Sequence, residues 1–248
     1  MANQFDERTQ TGGFDPTVSV GVPRAARDAG LRKYMLSVYN YMASGVLLTG
    51  IVALLFYSSG MAAQVFLGGG ILPWVIILSP LAIIIAMSFG QNRMSTGTLH
   101  MLFWGFATLM GLSMSTIFLV YTGVSIAQTF FAVAAAFMGL SLWGYTTKKD
   151  LSGWGTFLIM GVVGLIIAML LNAFVFQSGA MSLAISAIGV LIFAGLTAYD
   201  TQKIKSIYRH VAHSSDLMSR AIIMGALNLY LDFINMFQFL LSFMGGRE

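Results

Sequence analysis

Cysteine is absent from the 248 residues, which excludes disulfides and thiolate metal sites together. Charge is nearly as scarce. Asp, Glu, Lys and Arg make up 9% of the chain, against about 25% in a typical soluble domain, too few to cover a water-facing surface. Short alternating strands are missing, which argues against a β-barrel. No lysine falls inside a long apolar run, so a retinal Schiff base has no candidate residue. His100, His210 and His213 do not form a metal-ligand spacing, and neither an HExxH helix nor a GxxxxGK[ST] loop occurs. Nothing indicates an enzyme, and no cofactor is expected.

What remains is apolar. Hydrophobic residues are 57% of the chain and the mean hydropathy is +0.81. A helix needs about 20 apolar residues to cross a bilayer, and seven runs meet or approach that length: Tyr34–Phe56, Ile71–Phe89, Leu99–Tyr121, Val124–Tyr145, Trp154–Phe176, Met181–Thr201 and Ala221–Met244. The expected fold is an all-α integral membrane protein, a seven-transmembrane-helix bundle over residues 31–246. Residues 1–30, polar and carrying Gly12, Gly13, Pro16, Gly21 and Pro23, read as a flexible cytoplasmic tail. They lack the apolar core and cleavage site of a signal peptide.

The formal charge of +4 is not a nucleic-acid signal, because the basic residues sit in the short connections. Arg93 follows the second span, Lys148 and Lys149 the fourth, and Lys203, Lys205, Arg209 and Arg220 the sixth. With the basic tail they fall on one side of seven alternating spans, leaving Arg247 opposite. The positive-inside rule then places the N-terminus in the cytoplasm and the C-terminus outside. Gly105, Gly111, Gly161, Gly164, Gly189 and Gly195 are candidate close-approach points between helices, and Pro80 is a candidate kink in the second span.

The only acidic residues inside the runs are Asp200 and Asp232. Ionisable groups at membrane depth are costly and line a pathway or pair with one another. Asn228, Asp232 and Asn235 share one helix face by their spacing, a polar stripe on a helix of Leu, Ile, Met and Phe. A purely structural carboxylate capped by amides is the alternative for Asp232, and an interfacial ion pair with Lys203 is the alternative for Asp200. If the sixth and seventh helices extend past the membrane toward Ser214, the two carboxylates reach similar depth. In contact, they cannot both stay ionised cheaply and would titrate as a coupled pair sharing a proton. With neighbouring amides and water they could also form a weak, transient calcium site.

The segments Gly195-Leu-Thr-Ala-Tyr-Asp200-Thr-Gln-Lys-Ile-Lys and Leu229-Tyr-Leu-Asp232-Phe-Ile-Asn resemble signatures of the Bax inhibitor-1 family, in its bacterial YccA-like branch. The resemblance runs from about Ala26 to Gly246 and includes Gly144-Tyr-Thr-Thr-Lys-Lys-Asp-Leu-Ser-Gly. It implies a bundle with the last helix central and a location in the bacterial inner membrane. It further implies a pH-sensitive calcium leak channel gated by paired aspartates, here Asp200 and Asp232, with calcium as the permeant ion. Arg93 matches the basic residue that latches the closed state by pairing with the first aspartate, and reads equally as a topology determinant. Some relatives carry a further carboxylate in the second span, where Ile71–Phe89 has none. The resemblance also implies another role, a non-conducting regulator that engages a membrane-anchored protease or other membrane protein through its tail. A proton-coupled transporter would fit the carboxylates, but no inverted repeat is evident.

Overall fold

The computed structural model describes residues 24–91 and 93–246. The tail before Arg24 and Arg247 lie outside the described residues, so expectations for them stand outside this fold. The chain forms α1 (Arg24–Ser58), a short α2 (Met61–Leu67), α3 (Leu72–Gly90), α4 (Thr96–Met114), α5 (Gly123–Thr146), α6 (Ser152–Leu171), α7 (Gly179–Val211) and α8 (Ser215–Met244). A tight 3₁₀ turn, Ser115–Leu119, extends α4, and a widened π turn, Asn172–Phe176, extends α6. All but α2 are long and apolar enough to cross a membrane, giving the seven spans expected.

The boundaries follow from capping chemistry as well as hydropathy. Ser95, Thr122, Ser178 and Ser214 each accept a hydrogen bond from the backbone N–H three residues on, at the starts of α4, α5, α7 and α8. This satisfies one of the donors that a helix start leaves unpaired. Pro80 is buried within α3, whose helix continues across it from Leu72 to Gly90. Residues 24–30, grouped above with the tail, already belong to α1. At the other extreme, α7 and α8 outrun their apolar segments and meet at a three-residue turn, Ala212–Ser214. This is the extension toward Ser214 on which the relative depth of Asp200 and Asp232 depends.

The last helix is the core of the bundle. Half of its apolar span is buried, against 17–33% for the others. It packs on α7, α1, α5 and α4, whereas α3 packs mainly on α4 and α6 mainly on α7. Lipid tails are as apolar as leucine, so close packing and interhelical hydrogen bonds must hold such helices together. Both are visible. Gly111 lies against Val52 and the Thr49 carbonyl, and Gly189 lies against the Phe239 ring. Gly161 and Gly195 also meet side chains, Gly105 reaches Ile83 of α3 only at ordinary van der Waals distance, and Gly164 faces open space.

The polar tie is a three-helix chain. Thr49 Oγ1 donates to the Ala107 carbonyl at 2.8 Å. Its single proton is thereby used, so Tyr230 O–H donates to Thr49 Oγ1 at 2.6 Å. Tyr230 is fully buried against Phe103 and Phe106. This fixes the register of α8 on α1 and α4, two residues from Asp232.

Candidate functional site

Because α3 and α6 stop short of α8, a cavity of about 830 Å³ opens between them, floored by α7 and α8. Its walls are apolar: Leu81 and Ile84 from α3, and Val162, Leu165, Ile166 and Met169 from α6. Its floor is polar. Asp200, Asn228, Asp232 and Asn235 all border it, so the structure brings together the carboxylates and amides singled out in the sequence.

Asp232 is 4% exposed, and its Oδ2 is buried without a hydrogen-bond partner. Such an atom is costly to leave unpaired in a dry interior. The helix register explains the arrangement. From the turn at Ala212–Ser214, Asp200 lies about 16 Å up α7, Asn228 about 20 Å up α8 and Asp232 about 26 Å up α8. Asn228 is therefore nearly level with Asp200, and Asp232 lies one turn beyond Asn228, about 10 Å deeper than Asp200. Asn235 is turned partly to its own helix, donating through Nδ2 to the Leu231 carbonyl at 2.8 Å.

The interfacial ion pair considered for Asp200 does not form. Lys203 instead holds its Nζ 5.8 Å above the Tyr199 ring. Arg93 is exposed in the turn between α3 and α4 and does not border the cavity. The basic side chain that ties that turn to the bundle is Arg220. It donates through Nη1 to the Gln91 carbonyl at 3.1 Å and through Nε to Asp216 Oδ2 at 2.8 Å. Thr96 donates to the other oxygen of Asp216.

The floor continues past the residues expected. Gln238 and Ser242 extend the stripe of α8 toward its C-terminal end. Ser186 donates to Ser242 at 3.1 Å, and Asn172 Nδ2 donates to Ser182 Oγ at 2.7 Å. These five line the cavity away from the basic loops. Gln238 and Ser242 follow Asn235 at three and seven residues, a helical spacing that the sequence displays. Ser182, Ser186 and Asn172 carry no such signal, since isolated hydroxyls and amides in apolar runs bond their own backbone just as readily.

The two ends of the cavity differ. From Asn228 to Ser242 the polar stripe spans about 21 Å of helix. Toward the basic loops, Thr201, Ile204, Tyr208, Ile223 and Leu227 are buried, and Gly225 lets Ile204 lie directly against α8. The carboxylates thus stand at the blind inner end of a half-channel. Two carboxylates with amide and hydroxyl oxygens suit brief residence of a hard cation more than tight retention. Among the described residues no cluster of three or more His, Asp or Glu side chains forms. The α3 wall contributes no acidic group.

Comparisons with known proteins cover nearly the whole chain. The family model described as inhibitor of apoptosis-promoting Bax1 matches residues 31–248. An inner membrane protein of Escherichia coli, YbhL, is 42% identical over 244 residues, 95% of this chain and 99% of that protein. An uncharacterized protein of Rickettsia prowazekii is 46% identical over 221 residues, 89% of this chain and 92% of its own length. An uncharacterized protein of Lactococcus lactis, YrjE, is 38% identical over 222 residues, 88% and 93% of the two chains.

Proposed function

The chain belongs to the Bax inhibitor-1 family, and from that premise we propose that it is a pH-sensitive cation leak channel, with calcium as the permeant ion. The observation that carries this reading is the half-channel with Asp200 and Asp232 at its blind end. We place it in the inner membrane, as the Escherichia coli relative is named, with the basic loops and N-terminus cytoplasmic and the C-terminus outside.

In the closed state the two aspartates would move together to share a proton, giving the now unpartnered Asp232 Oδ2 a hydrogen bond that draws α7 to α8. Loss of that proton leaves two like charges facing each other in a poorly solvated site. Repulsion then favours separation of the helices, or entry of a cation between the carboxylates. Among the described residues that line the cavity no side chain is cationic, and α3 and α6 present apolar walls; Lys203 stands one turn from Asp200 on α7. Separating α7 from α8 loosens the seal at Ile204, Tyr208 and Ile223, so flux should rise with pH. Such gating needs a population shift of only a few kcal/mol. Participation of Arg93 requires the α3–α4 turn to travel toward Asp200.

The test is calcium influx into liposomes from about pH 6 to 8, comparing the native chain with Asp200→Asn and Asp232→Asn. The amide keeps the shape and removes the charge, so both variants should show a flattened pH response. An unchanged pH profile in both variants would sink the gating scheme. No flux above empty liposomes at any pH would instead favour the non-conducting regulator of a membrane partner.

A further inference from the structure

The segment Gly144–Gly153, which carried part of the family resemblance, plays no role in the half-channel. It forms one wall of a separate cleft of about 330 Å³ at the basic end, whose other wall is the end of α7. Five basic side chains border it, Lys148, Lys149, Lys203, Lys205 and Arg209, against the single carboxylate of Asp150. We propose that this cleft binds a phosphate-bearing polyanion, either a lipid headgroup or a soluble polyphosphate.

The cleft is built rather than a chance cluster of solvated charges. Gln202 grips the turn at two points: its Nε2 donates to the Lys149 carbonyl at 2.8 Å, and its Oε1 accepts from Leu151 N–H at 2.9 Å. Leu151 is buried beneath. Gly144 sits directly on the Ala198 carbonyl and Gly155 on the Tyr199 ring, so a side chain at either would push α5 or α6 off α7. Lys205 is fixed by donation to the Tyr145 carbonyl at 2.6 Å, 4.8 Å above that ring. Asp150 is turned back onto its own turn, accepting from Ser152 N–H at 2.9 Å. The Ser152 hydroxyl, and after it this backbone N–H, hold its carboxyl below the ordinary range. By contrast the side chains of Lys148, Lys149 and Arg209 make no hydrogen bond or ion pair among the described residues, leaving three cations free for a ligand.

The depth of the cleft favours a ligand at the membrane surface. Trp143 and Trp154, both exposed, flank it near the ends of α5 and α6, and exposed tryptophans gather at headgroup level. Basic pockets between spanning helices on the cytoplasmic side suit lipids bearing two phosphates. Lys203 is three residues from Asp200 on α7, so an occupied cleft would act on the same helix that carries the first carboxylate.

The experiment measures saturable binding of cardiolipin in mixed micelles, and separately of inorganic tripolyphosphate, to the purified full-length chain at constant ionic strength. Native protein should saturate with cardiolipin. Saturation by tripolyphosphate as well would identify the cleft as open to soluble anions; saturation by cardiolipin alone would assign a headgroup. In Lys148→Gln/Lys149→Gln both exposed cations are lost, and the apparent affinity should fall roughly thirtyfold. Lys33→Gln, at an exposed site on α1 outside the cleft, should change it little. Gln202→Leu keeps every charge but releases the turn, and should also weaken binding. The proposal fails if neither probe saturates, if Lys33→Gln weakens binding as much as the double variant, or if Gln202→Leu binds like the native chain.

Discussion

Tyr230→Phe should destabilise the native protein yet stabilise a Thr49→Val variant. The proton count in the buried chain gives this change of sign. In the native protein Tyr230 donates to Thr49, which donates to the Ala107 carbonyl. Tyr230→Phe removes one interhelical bond and leaves Thr49 satisfied, at a cost of about 1 kcal/mol. Thr49→Val removes both bonds and strands the phenol donor of a fully buried tyrosine, adding roughly 1–3 kcal/mol for the orphaned group. The Ala107 carbonyl, already within α4, is not orphaned. Phe at 230 then removes the stranded donor while keeping the ring against Phe103 and Phe106, recovering much of that penalty. Reversible unfolding of the four proteins in mixed micelles with a denaturing detergent completes the cycle. Equal destabilisation by Tyr230→Phe in both backgrounds would refute the bond and the register it imposes on α8.

Other consequences follow from single positions. Gly189→Ala would place a Cβ 2.6 Å from the Phe239 ring, which is itself stacked on Phe193; a loss of about 1–3 kcal/mol is expected. Gly164→Ala meets nothing within 4 Å and should be neutral or up to about 1 kcal/mol stabilising, so the reverse order in thermal melts would contradict the packing. Ser214→Ala removes the cap that opens α8 and should cost about 1 kcal/mol, read as a lower melting temperature that Ser214→Asp restores. Asp150 is held below its ordinary value of 3.8 by Ser152, so its small contribution is present above that value. It is lost as the pH falls through the lower, folded value. The melting difference between native protein and Asp150→Asn should therefore shrink in acid, and a difference that grows in acid would reverse the assignment.

The two walls of the half-channel show how far one-dimensional spacing reaches. Asn228, Asp232, Asn235, Gln238 and Ser242 form a single stripe by helical periodicity alone, and Asp200 was marked by its charge inside an apolar run. Their convergence depended on the lengths of α7 and α8 beyond the apolar segments, which hydropathy truncates. Arg93 illustrates the opposite case. A short turn can aim its side chain in several directions, and the structure gives the tie at this turn to Arg220, a residue 127 positions later. The glycines divide in the same way: Gly111 and Gly189 press closely on neighbouring helices, while Gly164 meets none.

By itself the sequence determined the class of protein, the seven spans and the two carboxylates at membrane depth. Each rests on a local cost, that of exposing apolar chain to water or charge to lipid, which acts residue by residue. Tertiary structure alone decided that α3 and α6 leave α8 partly uncovered, that the resulting cavity is closed toward the basic loops, and that Gln202 and two glycines shape a cationic cleft. Those features depend on which helices touch. Within a bilayer that choice is made by packing and hydrogen bonding between distant residues, because lipid satisfies an apolar helix face as well as another helix does.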